Sequence, residues 1–124
     1  MELTEQVVMN CLFADDAYVR KALPFIDREY FQSESNKTVF DLMKNHIEKY
    51  NELPTKDSLM ISLEDVNVSE NIYKESVEFI DYLNNQKEEH RNSQWQLDAT
   101  EKWCQDRAVY NAVMKSISII NDDG

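Results

Sequence analysis

The chain of 124 residues contains a single glycine, and it is the last residue, Gly124. Tight turns between strands need positive φ, which glycine supplies at the least steric cost. Without an internal glycine the chain reads poorly as a sheet and well as helices joined by Asn, Asp and Ser. The same absence removes the phosphate-cradling loops of nucleotide- and dinucleotide-binding proteins, where a missing Cβ lets the backbone approach the ligand. Pro24 and Pro54 are the only prolines. Each is expected to stop a helix, because the residue before proline avoids helical geometry.

Caps and apolar spacing then divide the chain. Thr4 is expected to cap a helix over 3–13, with Leu3 and Val8 placed for a hydrophobic staple. Asp15 or Asp16 can cap a second helix that ends at Pro24. An aromatic-rich connector follows with Phe25, Ile26, Tyr30 and Phe31, in which Asp27 can start one turn. The polar stretch 33–36 can cap a longer helix to about Tyr50, with Val39, Phe40, Met43 and Ile47 on its apolar face. Thr55 can cap a short helix carrying Leu59, Met60 and Leu63, and 65–68 reads as a loop. Ser69 can cap a helix with Ile72, Tyr73, Val77, Ile80 and Leu83. The stretch 84–92 has no apolar residue and is expected to be a solvated turn or a frayed helix end.

The longest periodic segment is 93–121. Trp95, Ala99, Trp103, Tyr110, Val113, Ile117 and Ile120 recur at steps of 4, 4, 7, 3, 4 and 3, a helical stripe about 40 Å long at 1.5 Å per residue. Leu97, Val109, Met114 and Ile119 widen it beyond what one neighbouring helix covers. A domain of this size has a radius of gyration of roughly 13 Å, so such a helix outruns the globule that the preceding residues can build. Part of its apolar face is expected to meet the preceding helix, a second copy of the chain or a later part of a longer protein. Trp95, Ala99, Trp103, Tyr110, Val113, Met114 and Ile117 are the expected contact residues, since large aromatics dominate interface centres.

The charge balance is 13 basic against 24 acidic residues, a net −11. Nucleic-acid binders neutralise phosphates with a basic face, so direct nucleic-acid binding is not expected. Between 55 and 85 seven carboxylates face only Lys56 and Lys74. Glu70, Glu75, Glu78 and Asp81 are the expected acidic rim that could steer a basic protein partner. Cys11 and Cys104 have no metal or redox spacing and read as buried thiols in a reducing compartment. His46 lies beside Ile47 on a helix and reads as a boundary core residue, while His90 sits among charges. No convergent carboxylate pair, nucleophile or ligand set stands out, so no catalytic residue, cofactor or metal site is expected. No signal peptide or long apolar run is present, which predicts a cytoplasmic protein without a membrane span.

Several local patterns, in order, resemble the N-terminal domain of DnaB-type replicative DNA helicases, especially those of tailed phages. Glu5-Gln6-Val7-Val8-Met9-Asn10-Cys11-Leu12-Phe13 is similar to the family's Glu-Gln-x-Val-Leu-Gly-x-Leu-Leu opening, with Asn10 at the family's glycine. Asp15 or Asp16 with Tyr18 stands where the family has an acidic residue and an aromatic. Asp27-Arg28-Glu29-Tyr30-Phe31 is similar to its acidic-x-Phe-Tyr segment. The helix from Val39 to Tyr50, Leu53-Pro54-Thr55, and the short helix from Leu59 to Leu63 follow its third helix, proline break and fourth helix.

The resemblance implies an all-α fold, with a compact multi-helix head over 1–68 and a long helical hairpin over 69–121. The arms of that hairpin would be 69–84 and 93–121. Residues 122–124 would begin a linker to a separate C-terminal ATPase domain, which would carry the ATP and magnesium sites. The chain would then be a non-catalytic collar domain. It would dimerise through its hairpin within a hexameric ring and dock primase, and in some systems the helicase loader, at the replication fork in the host cytoplasm. The parent would be an ATP-dependent 5′–3′ helicase. The competing expectation from the residues alone is a free-standing acidic phage protein that inhibits a host nucleic-acid-binding protein by mimicking DNA charge.

Overall fold

The computed structural model describes residues 3–86 and 94–123. Among the described residues the fold has six α-helices, two single 3-10 turns and no strand. The helices are α1 (Leu3–Ala14), α2 (Asp16–Ala22), α3 (Glu34–Tyr50), α4 (Lys56–Leu63), α5 (Glu70–Asn85) and α6 (Gln94–Asp123). The 3-10 turns, Leu23–Phe25 and Arg28–Tyr30, lie between α2 and α3.

Four of the helices, α2 to α5, start at a side chain that satisfies an otherwise orphaned amide, an interaction worth about 1 kcal/mol per cap. Asp15 Oδ1 accepts from the Tyr18 amide at 3.1 Å, and Ser33 Oγ from the Asn36 amide at 3.1 Å. Ser69 Oγ accepts from the Ile72 amide at 3.2 Å, and Asp27 Oδ1 from the Glu29 amide at 2.9 Å. Thr55 and Ser58 form a reciprocal capping box. Thr4, expected as a cap, instead lies inside α1, which already begins at Leu3. At the other end of α3, Asn51 takes the left-handed conformation (φ 55°) and its amide donates to the Ile47 carbonyl. Asn tolerates this region better than most residues. It thus closes the helix in a chain with no glycine to spare.

The core is built around α1, which touches α2, α3, α5 and α6. Val8, Met9, Cys11, Leu12 and Phe13 are all essentially sealed from solvent, as expected of a helix that is apolar around most of its circumference. Val39, Phe40 and Met43 of α3, Leu59 and Leu63 of α4, and Phe79, Ile80 and Leu83 of α5 complete the same core, α4 joining it through α3 and α5.

Glu5 is buried in this core at 1 % exposure. Its Oε1 accepts from Asn36 Nδ2 at 3.1 Å and from the Gln32 amide at 3.4 Å, which ties α1 to the start of α3. Glu5→Ala is expected to cost about 1–3 kcal/mol, because Asn36 keeps a buried donor without its acceptor. A lowered urea midpoint with an unchanged slope is the readout.

The resemblance implies a hairpin arm over 69–84, and in the structure α5 packs mainly on α3 and α4. Its buried Ser76, Phe79, Ile80 and Leu83 recur at helical spacing, so the head claims that face. The boundary expected at 68/69 therefore does not coincide with a change in packing. At its C-terminal end the described chain is helical, with α6 continuing through Asp123. Most of the polar stretch 84–92 and His90 lie outside the described residues.

Candidate interaction surface

Helix α6 has two halves with different surroundings. Its first half lies on α1, α2 and the 3-10 turn Arg28–Tyr30. Gln96, Thr100, Trp103 and Cys104 are buried there. A buried polar latch sets the register: the Tyr18 hydroxyl and Thr100 Oγ1 are 2.6 Å apart, and Thr100 Oγ1 also reaches the Gln96 carbonyl at 2.7 Å.

Trp103 was expected at the centre of an interface between chains. At 3 % exposure it is a core residue instead. Its ring meets Tyr30 edge-on at 6.0 Å and Phe31 at 5.2 Å, and Phe31 in turn packs on Phe40 at 5.0 Å. The reason is rotation along the helix. At 100° per residue, two steps of four carry Trp103 about 80° around the axis from Trp95. The two tryptophans therefore face different surroundings. Trp95 is 61 % exposed, whereas Trp103 turns into the head. Ala99 between them is half-buried, and the exposed Lys102 and Asp106 interrupt the stripe further on.

Beyond residue 107 contacts with the head thin out, the last being Asn111 with the Glu29 carbonyl and the cavity that Tyr110 and Met114 share with Phe31, and the helix continues. Val109, Tyr110, Val113, Met114, Ile117, Ile119 and Ile120 are seven large apolar side chains exposed by 45–69 %. Scattered single exposures of this kind are ordinary, but a contiguous strip is not. Tyr110, Val113, Ile117 and Ile120 follow steps of 3, 4 and 3, the spacing of a seam between packed helices. Val109 and Met114 flank that seam and broaden it. Of the expected contact residues, Tyr110, Val113, Met114 and Ile117 thus share this bare strip, Trp95 and Ala99 lie nearer the start of α6, and Trp103 does not belong to it.

Two residues of this region escaped sequence reasoning. Arg107 Nε donates to the Tyr30 carbonyl and Asn111 Nδ2 to the Glu29 carbonyl, both at 2.9 Å. The Arg107 guanidinium also lies 4.8 Å from the centre of the Tyr110 ring. Together they bracket the root of the projecting segment to the connector. Neither breaks the sequence pattern, and their carbonyl partners are about 80 positions away, so no local signal marks them.

The acidic residues Glu70, Glu75, Glu78 and Asp81 are all exposed on α5. Asp81 pairs with Lys56 at 2.7 Å and Glu70 with Lys74 at 4.0 Å. They lie on an exposed face of α5. An open groove of about 540 Å³ runs between α2 and α6, lined by Ala22, Phe25, Leu97 and Cys104 among others, with Phe25 75 % exposed at its edge.

Both cysteines are free and buried. Burial, reinforced by the nearby Asp15, pushes the Cys11 thiol up to about 12, and burial pushes Cys104 up to about 11. Thiolate is the reactive form. Both are expected to resist an aromatic disulfide reagent at neutral pH in the folded chain and to react fully in urea, as measured by released thiolate. Among the described residues no cluster of three or more metal-ligating side chains occurs, and no helix is long and apolar enough to cross a membrane.

No protein-family model matches the chain. It is, however, 34 % identical over 114 residues to a DnaB-like replicative helicase of Enterobacteria phage T4, a match covering 92 % of the chain. The chain is related to the DnaB-like replicative helicases. It spans 23 % of that relative's length, the extent of one domain of such a protein, and its all-helical fold suits a helicase-related domain of this kind.

Proposed function

We propose that this chain is the N-terminal collar domain of a replicative helicase, and that the outer half of α6 is its docking arm. The observation that carries the reading is the bare strip from Val109 to Ile120, which projects past the head that its own chain provides. Covering it with a second copy removes apolar area from water, at roughly 25 cal/mol per Å². The similarity to a replicative helicase supports a ring as the setting in which copies meet. The ATP and magnesium sites, and the 5′–3′ motor activity, belong to the remainder of the parent protein.

Primase is the second partner in this reading, with the loader a further one. Both would approach a collar whose head carries an acidic face on α5 and an exposed Phe25 beside the α2–α6 groove. The alternative of a DNA-mimicking inhibitor draws on net charge alone, and it gives the apolar strip no role. The test is chromatographic. The primase of the same replication system should co-migrate with this chain on size exclusion, and separate elution at high concentrations of both would contradict primase docking.

A further inference from the structure

We infer that α6 is a releasable strap, which comes off as one unit while α1 to α5 stay folded. The inference concerns how the inner half of α6, 94–107, is seated, and it does not depend on what covers the outer half.

The seat of α6 is thinly apolar. In this 30-residue helix the buried side chains are Gln96, Thr100, Trp103 and Cys104. Trp103 is the one large apolar group among them, and Leu97 is only half-buried. By contrast α1 alone seals off Val8, Met9, Leu12 and Phe13. Apart from Trp103 and Cys104, every buried member of the apolar core lies between Val8 and Leu83. The other helices therefore carry a core of their own. Elements with few buried apolar contacts are the first to open in a native protein.

The polar part of the seat is poorly satisfied. Gln96 Oε1 and Trp103 Nε1 are shut off from solvent and have no hydrogen-bond partner among the described residues. A polar atom that gives up water and gains no partner opposes docking. Thr100 Oγ1 meets the Tyr18 hydroxyl at 2.6 Å, but its other partner, the Gln96 carbonyl, belongs to α6 itself. The remaining ties run from Arg107 and Asn111 to the Tyr30 and Glu29 carbonyls, in half-buried or exposed positions where water can replace either partner. One aromatic plug and one buried latch thus hold the inner half of a long helix. Its release uncovers the faces of α1 and α2 on which it lies and removes one wall of the groove beside Phe25.

Hydrogen exchange of the whole chain, dilute and in urea below the unfolding transition, tests this residue by residue. Amides at 98–107 should exchange through a shared opening whose free energy and urea slope are both smaller than those of amides in α1 and α3. Gln96→Met removes the unpartnered oxygen at similar side-chain length, and it should slow exchange at 98–107 by about tenfold. If the α6 amides share the opening free energy and slope of those in α1 and α3, the helix leaves only when the whole chain unfolds, and the inference is overturned. Exchange at 98–107 left unchanged or accelerated by Gln96→Met would overturn it as well.

Discussion

Trp103→Ala is expected to lower the stability of the head by about 3–5 kcal/mol, the usual cost of emptying a buried aromatic site. The indole fills the space between α6 and the Arg28–Tyr30 connector, where it touches both Tyr30 and Phe31. Its removal leaves a cavity where α6 meets that connector. Stabilities of domains this size are about 5–15 kcal/mol, so the loss is a large fraction of the whole. Thermal unfolding should shift downward by roughly 10–20 °C. A change of less than 1 kcal/mol in a urea titration would mean that Trp103 is not the plug between α6 and the head.

The second large effect is on association. Val113→Asp with Ile117→Asp places two carboxylates on the seam between paired arms, where each would be desolvated without a partner. Self-association should weaken by at least about a hundredfold, equivalent to about 2.7 kcal/mol. Folding of the head should not change, because Val113 and Ile117 are 51 % and 45 % exposed and contribute nothing to its core. The two substitution sets therefore separate by readout. Trp103→Ala acts on the unfolding transition, and the aspartate pair acts on mass. An aspartate pair that lowered the melting temperature as much as Trp103→Ala would contradict this division of α6.

What could be read in advance from residues follows the range of the interaction concerned. Asp15, Ser33, Thr55 and Ser69 cap their helices through contacts three residues away, so sequence alone identifies Thr55 and Ser69 and narrows the other two to Asp15 or Asp16 and to the stretch 33–36. The excess apolar surface of α6 was also legible, since its length and spacing are properties of one segment. Which face the head takes was not. Trp95 and Trp103 look equivalent in a list of spaced aromatics, and only the helix rotation relative to α1 and the connector decides that one is bare and the other enclosed. Glu5 gives no local sign of burial, because Gln32 and Asn36, which satisfy it, lie about 30 positions away. The packing of α5 has a similar range: an amphipathic helix shows that it has an apolar face, but not which elements cover it.

The claim on which the rest depends is that α6 presents more apolar surface than its own head covers, and that a second copy covers the excess. Sedimentation equilibrium of the unmodified chain over a wide range of concentration tests it directly. The account predicts a weight-average mass that starts at the 14.7 kDa of one chain and climbs towards twice that value as concentration rises. A mass that stays at one chain up to the highest attainable concentration would contradict it.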